Sequence, residues 1–362
     1  MKATCLELKN FRNIENAALF FDSGMNIIYG QNAQGKTNVI EALWLFSVAK
    51  SFRAAREREI ITHGMPQSEQ RLLFENEVRQ NEIKINIARG ERKKIFKNGV
   101  KIAKTRELIG NFYSVLFCPE HLSLVKDGPG ERRRFLDMAL CQLKPRYMAL
   151  LEEYNRLLLQ KNSLLKDRAG KSLDTLDIWN EKLSAAGAQI ALQRLEYVGL
   201  LQKYAENVLY ELSGGAENIT IDYIFCGEAL KEPRDLKSEL LSLFDRNRQR
   251  ELKEGVCLFG PHRDDLEIKI NGFSARLFAS QGQQRSCVLA LKAAEADILY
   301  TQTGEAPVML LDDVLSELDG VRQKFLIQKI IKKQVIITCC EPEHNLKGLE
   351  AKLFYVKSGR IN

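Results

Sequence analysis

The alternation of apolar and polar residues predicts short β-strands near both ends of the chain. Residues 4–29 are typical of two strands, with turns near Asn13 and at 22–24, and residues 37–49 place apolar side chains at helical spacing. Short alternating segments return over 72–102, where Asn98-Gly99 predicts a hairpin turn. We therefore expect an antiparallel sheet at the edge of an α/β core.

The middle of the chain has a helical pattern. Apolar residues recur at alternating steps of four and three over 143–164 and 179–204, which predicts two antiparallel helices with a short connection at 167–172. Arms of about 25 to 30 residues would span only roughly 40 Å, because an α-helix rises about 1.5 Å per residue. This length excludes a long rod.

Strand patterns continue on both sides of a charged segment. We predict strands at 112–117, 219–225 and 266–270, and an exposed helix over 231–254. A long helix is expected to begin after 280–282 and to lead to an apolar strand that ends at Asp312.

The composition is that of a folded protein long enough for two domains. Of 362 residues, 45% are hydrophobic and 28% are charged, and 54 basic against 47 acidic residues give a net charge of +7. This charge favours polyanionic partners without proving one. No apolar run reaches the roughly 18 residues of a membrane helix, and no signal peptide is visible, so we expect a cytosolic protein with no membrane partner.

The eight cysteines contain no C-x-x-C pair, which argues against a zinc site and against a secreted disulfide framework. We interpret them as buried thiols. Cys339 and Cys340 close an apolar run and are interpreted as a strand end, because free cysteine behaves as a small hydrophobic residue.

A complete phosphate-binding motif follows the apolar segment 25–29. Residues 30–37 read GQNAQGKT and match G-x-x-x-x-G-K-[ST]. Backbone N–H groups of such a loop point at phosphates, Lys36 can reach the β- and γ-phosphates, and Thr37 can hold Mg²⁺. The predicted ATP contacts in this loop are Gly30, Gln31, Asn32, Ala33, Gln34, Gly35, Lys36 and Thr37.

Two carboxylates follow the apolar segment 308–311. Asp312 suits the group that holds Mg²⁺ through water, and Asp313 can orient or deprotonate an attacking water. Acids at a strand end are often only turn residues, so this assignment depends on the phosphate loop. Lys36, Asp312 and Asp313 are the predicted catalytic residues, and the site would be assembled from both ends of the chain.

A second anion-binding segment is predicted at 279–285, which reads ASQGQQR. Ser, Gly and Gln at a helix start can bind phosphate through backbone N–H groups, although an ordinary capped helix has the same composition. Its position before the Asp312 strand favours a nucleotide contact by Ser280, Gly282 and Gln283. The segment resembles the LSGGQ signature of ABC ATPases.

The order of these motifs resembles that of ABC-type ATPases over nearly the whole chain, with 316–319 (SELD) similar to a D-loop. The resemblance implies an α/β fold: a P-loop ATPase head with a mixed sheet, and a helical second lobe with a short antiparallel hairpin. The implied head comprises 1–125 and 290–362, and the inserted lobe 126–289 with its hairpin at about 131–212. In that superfamily two heads dimerise head to tail, and the signature of one touches the γ-phosphate held by the other.

Within that superfamily the chain resembles the RecF family of bacterial DNA replication and repair proteins. The similar segments are 6–13 (LELKNFRN), 260–265 (GPHRDD), 281–285 (QGQQR) and 311–319 (LDDVLSELD). The resemblance implies an ATP- and Mg²⁺-dependent homodimer that binds gapped DNA or single-strand/double-strand junctions. With RecR and RecO it would help to load recombinase, and weak, DNA-dependent ATP hydrolysis would act as a switch.

Three departures from transporter ATPases bear on the alternatives. Asp313 stands where transporters carry Glu, no His follows Thr338, and Pro119-Glu120 lies where a Q-loop Gln is expected. The shorter carboxylate predicts slow hydrolysis, which disfavours an energy-transducing ABC subunit. The short hairpin and the lack of C-x-x-C disfavour a shortened SMC-like chromosome or break-repair ATPase.

Basic stretches are candidates for contact with DNA phosphates. Charge alone is equally typical of a solvated face, so phosphate contact and solvation remain open at these positions. The candidates are Arg92, Lys93, Lys94, Arg132, Arg133 and Arg134, with Arg53, Arg56 and Arg58 as weaker ones.

The segment 260–265 contains a histidine and two aspartates, which raises the possibility of a metal or nuclease centre. No further histidine or acid cluster lies nearby at ligand spacing. We therefore predict a structural turn that bonds to the neighbouring lobe.

Overall fold

The computed structural model describes residues 1–54, 56–167, 173–341 and 350–362, which form two compact units. Unit 1 comprises Met1–Leu122 and Arg285–Asn362, and unit 2 comprises Ser123–Gln284. The predicted lobe boundaries, after 125 and before 290, lie within about five residues of this division.

Strands and helices are numbered here in chain order. The strands are β1 (Lys2–Phe11), β2 (Ile14–Phe20), β3 (Met25–Tyr29), β4 (Gln67–Glu75), β5 (Gln80–Ala88), β6 (Lys94–Lys97), β7 (Val100–Ile102), β8 (Ser114–Phe117), β9 (Ile219–Phe225), β10 (Glu228–Leu230), β11 (Asp265–Ile270), β12 (Phe273–Ser274), β13 (Val308–Asp312), β14 (Val335–Cys339), β15 (Ala351–Lys357) and β16 (Arg360–Ile361). The helices are α1 (Lys36–Val48), α2 (Ser123–Lys126), α3 (Pro129–Leu143), α4 (Pro145–Leu165), α5 (Leu176–Ser213), α6 (Leu236–Arg246), α7 (Arg248–Glu254), α8 (Ala275–Phe278), α9 (Gln281–Thr303) and α10 (Gly320–Ile330).

A largely parallel sheet forms the core of unit 1. Its described strands pair in the order β16-β15-β3-β14-β13-β8, and only β16 is antiparallel to its neighbour. Every residue of β13 and β14 is buried, which agrees with their continuous apolar runs. Because β3, β14 and β13 are parallel neighbours, the phosphate loop and Asp312 emerge at the same edge of the sheet.

An antiparallel sheet accompanies this core, with the strand order β2-β1-β4-β5-β6-β7. Asn98 (φ 49°) and Gly99 (φ 80°) both adopt the left-handed conformation that a two-residue hairpin requires, so the predicted turn between β6 and β7 is confirmed. Residues 4–29 hold three strands rather than two. The third, β3, leaves this sheet and enters the parallel one.

Unit 2 combines helices with a sheet of order β10-β9-β11-β12. Helices α4 and α5 pack against each other as the predicted hairpin, and 168–172 of its connection lie outside the described residues. The prediction for arm length was wrong, because α5 has 38 residues and ends only where Gly214 adopts φ 62°. A new helix starts at Pro145, so α3 is separate from the hairpin.

The charged stretch 231–254 holds two helices rather than one exposed helix. In α6 the side chains of Leu236, Leu240 and Phe244 are buried, four residues apart along one face. Asn247 separates α6 from α7. The charged residues therefore form only the outer face of an amphipathic segment.

Candidate nucleotide-binding site

The loop between β3 and α1 has the backbone shape of a phosphate cradle. Gly30 and Gly35 have φ values of 151° and 115°, which side chains rarely tolerate. A Cβ on Gly30 would collide with the backbone oxygen of Val356, and one on Gly35 would lie 2.6 Å from Oδ1 of Asn13. Gly35 caps α1 without a side-chain hydrogen bond, so backbone N–H groups at the helix start can meet an anion.

Lys36 lies over this loop. Its ammonium group donates hydrogen bonds to the backbone oxygens of Gly30 at 2.6 Å and Gln31 at 2.9 Å. The side chain is only 6% exposed. The charge is therefore held at the loop, where the phosphates of a nucleotide would lie.

Asp312 meets the loop from the other end of the chain. Its Oδ1 accepts a hydrogen bond from the hydroxyl of Thr37 at 2.9 Å and another from the hydroxyl of Thr338 at 2.7 Å. Hydroxyl and carboxylate oxygens are the hard ligands that Mg²⁺ prefers, so this pair fits the ion predicted for it.

Asp313 is held in an unusual backbone conformation. Its φ is 51°, and its N–H donates to the hydroxyl of Thr338 at 3.0 Å. The residue lines the same cleft as Lys36 and Thr37. The structure therefore brings together the predicted Lys36, Thr37, Asp312 and Asp313, and adds Thr338, which sequence reasoning did not assign to the site.

Burial shapes the electrostatics of Asp312. Removal from water raises the pKa of its carboxyl group, the hydrogen bonds from Thr338 and Thr37 oppose this rise, and the negative charge of Glu120 adds to it. Glu120 lies in the 3₁₀ turn Pro119–Leu122 that follows β8. Glu120 stands where transporters carry a glutamine. A bound cation would relieve the repulsion between the carboxylates of Glu120 and Asp312.

The cleft has a volume of about 710 Å³ and is rich in cationic side chains. Arg12 is held in place by Glu41 of α1, which accepts hydrogen bonds from both Nε at 3.0 Å and Nη2 at 2.7 Å. Arg12 and Asn13 belong to the segment 6–13, which signalled the family but was not assigned to the site. Further lining residues include Arg53, Arg58, His63 and Arg89.

The predicted signature segment is a capped helix start in unit 2. The backbone N–H of Ser280 donates to the side chain of Gln283 at 3.0 Å, and the N–H of Gln283 donates to the hydroxyl of Ser280 at 3.2 Å. These reciprocal bonds begin α9, so the predicted helix start is confirmed. Nucleotide contact by Ser280, Gly282 and Gln283 stays a prediction.

The two basic stretches differ in their surroundings. Arg132 is only 4% exposed and forms a bidentate pair with Asp265 at 2.6 and 2.9 Å. This burial and pairing disfavour the predicted contact of Arg132 with DNA, because its guanidinium is already occupied. Arg133 donates to the backbone oxygen of Asp264 at 2.7 Å, whereas Arg134 is exposed.

In the other stretch Arg92 and Lys94 are exposed. Lys94 pairs with Glu91 at 2.7 Å, and Lys93 reaches Glu57 at 2.5 Å. Arg92, Lys94 and Arg134 are thus the exposed members of the predicted DNA-contact set, and of these Lys94 is paired with Glu91.

The segment 260–265 forms a turn, as predicted, but its hydrogen bonds to Arg194, Tyr223 and Tyr154 lie within unit 2 rather than with the neighbouring lobe. The buried Asp264 accepts a hydrogen bond from Tyr223, and Arg194 donates to the backbone oxygen of Pro261 at 2.7 Å. Across the described ranges, no group of three or more His, Cys, Asp or Glu side chains could hold a metal ion.

None of the helices that the structure describes combines the length and apolar character needed to cross a bilayer.

The family model described as the RecF/RecN/SMC N-terminal domain matches residues 3–359. The DNA replication and repair protein RecF of Acetivibrio thermocellus is 40% identical over 340 residues, covering 93% of this chain and 92% of the relative. RecF of Clostridium botulinum strain Loch Maree is 39% identical over 98% of both chains.

Solved structures give the same relationship. The recombination mediator protein RecF-ATPrS of the RecFOR pathway matches with a TM-score of 0.93 and 35% identity, over 99% of this chain and 97% of that one. RecF-ATP of the same pathway matches with a TM-score of 0.92 and 35% identity, over 100% of this chain and 97% of that one. An SMC head bound to a ScpA domain shares the fold, with a TM-score of 0.58 at 18% identity over 100% of this chain and 96% of that one. The fold is thus that of an ABC-type ATPase head.

Proposed function

The chain belongs to the RecF family, and we propose that it is an ATP-dependent DNA-binding clamp of recombinational repair that dimerises around shared nucleotide. The observation that carries the nucleotide part is the convergence of the Gly30–Thr37 loop with Asp312 through the hydrogen bond from Thr37. The relatives are named as DNA replication and repair proteins, and one solved relative is named as RecF-ATP.

The chain's own residues divide the work at this cleft. Lys36 and the N–H groups of the loop bind phosphate oxygens, and Arg12 adds a positive charge held in place by Glu41. Thr37 and Asp312 would hold Mg²⁺, the latter through water, and the ion would supply neutralising charge at the phosphates. Asp313 orients the attacking water or accepts its proton, and its short side chain fits slow turnover suited to a switch.

Dimerisation would place Ser280, Gly282 and Gln283 of one copy against the nucleotide held by its partner. The start of α9 supports this role, because a helix N-terminus favours a negatively charged group.

DNA with gaps or single-strand/double-strand junctions is the proposed polyanion, with Arg92 and Arg134 as accessible contacts. RecR and RecO are the proposed protein partners, since the relatives act in a pathway named RecFOR.

Sedimentation and gapped-DNA binding, each measured with ATP, with ADP and without nucleotide, test this proposal. We expect a doubled mass and tighter DNA binding only with ATP. Lys36→Met and Ser280→Arg should each abolish both changes. Equal mass and equal DNA affinity in all three nucleotide conditions would refute the clamp.

A further inference from the structure

Thr338 connects the two acidic residues of the cleft. It lies near the end of β14, directly opposite Asp312 in the parallel register with β13. Its hydroxyl donates to Oδ1 of Asp312 at 2.7 Å and accepts the N–H of Asp313 at 3.0 Å. The residue is 1% exposed, so water does not replace these bonds easily.

The bond to Asp313 stabilises a strained turn. A residue with a side chain at φ 51° is less stable than in its usual conformations, and such strain persists only where the surroundings enforce it. The backbone hydrogen bond to Thr338 is one such constraint. It turns the chain after β13 so that Asp313 lines the cleft rather than continuing the strand.

The bond to Asp312 has a different role. Oδ1 of Asp312 accepts hydrogen bonds from two hydroxyl groups, and one of them belongs to Thr37, the residue proposed to hold Mg²⁺. The other belongs to Thr338, which holds the carboxylate from the neighbouring strand β14. Groups behind a metal ligand commonly fix its orientation in this way.

We propose that Thr338 is a positioning residue that keeps Asp312 and Asp313 in place for a magnesium-bound nucleotide. This inference rests on the proposed ATP binding at the cleft. The strand end carries Thr338, Cys339 and Cys340 where transporter ATPases place a histidine close by. The hydroxyl of Thr338 bonds both acids and lies at the lining of the same cleft.

Thr338→Val and Thr338→Ser test the inference, because valine keeps the shape and removes the hydroxyl while serine keeps the hydroxyl. The first measurement is equilibrium binding of a fluorescent ATP analogue as Mg²⁺ is titrated, which requires no hydrolysis. For Thr338→Val we expect the Mg²⁺ concentration at half-saturation to rise about 10-fold to 100-fold, the usual effect of losing such a partner. Nucleotide affinity without Mg²⁺ should stay within about twofold, since Lys36 and the loop are untouched.

Hydrolysis supplies the second measurement. In Thr338→Val, kcat should fall with little change in KM, and Thr338→Ser should restore both Mg²⁺ response and kcat. Thr303→Val is the matched control, because the hydroxyl of Thr303 bonds its own helix end and the following loop, at Leu299 and Glu305. Circular dichroism and melting temperature verify folding, and Thr338→Ala replaces the valine variant if that variant is unfolded.

The outcomes distinguish the positioning role of Thr338 from the proposed binding of ATP at the cleft. A wild-type Mg²⁺ response in Thr338→Val or Thr338→Ala, or equal defects in the serine variant, would overturn the positioning role. Wild-type protein that binds no nucleotide would instead refute the proposed function. Nucleotide binding without measurable turnover would refute only the hydrolytic switch, because the Mg²⁺ titration would still test Thr338.

Discussion

The hydroxyl of Thr37 lies 2.9 Å from Oδ1 of Asp312, although 275 residues separate the two positions in the chain. This hydrogen bond joins the phosphate loop to the strand that carries the acids. It forms because β3 and β13 are both parallel to β14 in one sheet, so their carboxyl ends meet at one edge. The cleft is therefore a product of the sheet order.

Gly35→Ala should damage nucleotide binding without unfolding the protein. At φ 115° a side chain is strained by about 1–3 kcal/mol, and the new Cβ would crowd Asn13. We expect affinity for ATP to fall at least about tenfold in a fluorescence titration.

Gly24→Ala is the matched control for this change, since a Cβ there meets nothing within 4 Å. It should bind ATP like the wild type. Equal affinity in Gly35→Ala and Gly24→Ala would show that the loop does not have to keep this shape.

Arg132→Ala and Arg134→Ala should separate stability from DNA binding. The loss of Arg132 removes the bidentate partner of Asp265 from a buried site, so the free energy of unfolding should fall by about 3 kcal/mol. Chemical denaturation measures this loss.

Arg134 is exposed, so its removal should change stability by less than about 0.5 kcal/mol. If Arg134 contacts a DNA phosphate, Arg134→Ala should weaken DNA binding. The slope of log binding constant against log salt concentration should then become shallower by about one. We assign Arg132 to stability and Arg134 to DNA contact. An Arg132→Ala protein with unchanged stability and weakened DNA binding would contradict that assignment.

His262 should make the protein less stable as the pH falls below 7. Burial lowers its pKa from an ordinary 6.5 to about 4. The backbone oxygen of Cys257 can only accept, so Nε2 of His262 carries the hydrogen, and Nδ1 accepts from Tyr154 at 2.7 Å. Between pH 4 and 6.5 the unfolded chain binds a proton that the folded one resists, so stability drops as the pH falls through this window.

His262→Gln removes that titration and leaves the other acids and bases unchanged. Between pH 7 and pH 5 the wild type should lose about 1–2 kcal/mol more unfolding free energy than the variant. Urea unfolding at the two pH values measures the difference. Parallel losses in both proteins would show that His262 is not the group responsible.

Much of the architecture follows from sequence patterns. The Asn98-Gly99 hairpin and the phosphate loop have strong local signals, because each requires particular residues at particular backbone angles. The bonds that Thr338 makes to Asp312 and Asp313 have no such signal. They arise from the register that pairs Asp312 with Thr338 across two parallel strands, and register between distant strands cannot be seen in the order of residues.

The surroundings of the charged residues could not be predicted from the sequence either. Arg132, Arg133 and Arg134 are equivalent as a run of cations, yet helical geometry buries the first and exposes the last. Arg53 and Arg58, the weaker candidates for DNA contact, line the candidate nucleotide cleft. Charge identifies such residues as binding candidates, and only tertiary structure separates an ion pair from a free surface group.

The central claim is that each nucleotide in the dimer is shared between two copies, with Lys36 from one copy and Ser280 from the other. Sedimentation of mixed Lys36→Met and Ser280→Arg proteins in ATP tests it most directly, because a mixed dimer has one intact composite site. We predict that neither variant dimerises alone and that an equal mixture forms dimers containing both variants. A mixture that stays monomeric while the wild type dimerises in ATP, or dimers of either variant alone, would contradict the account.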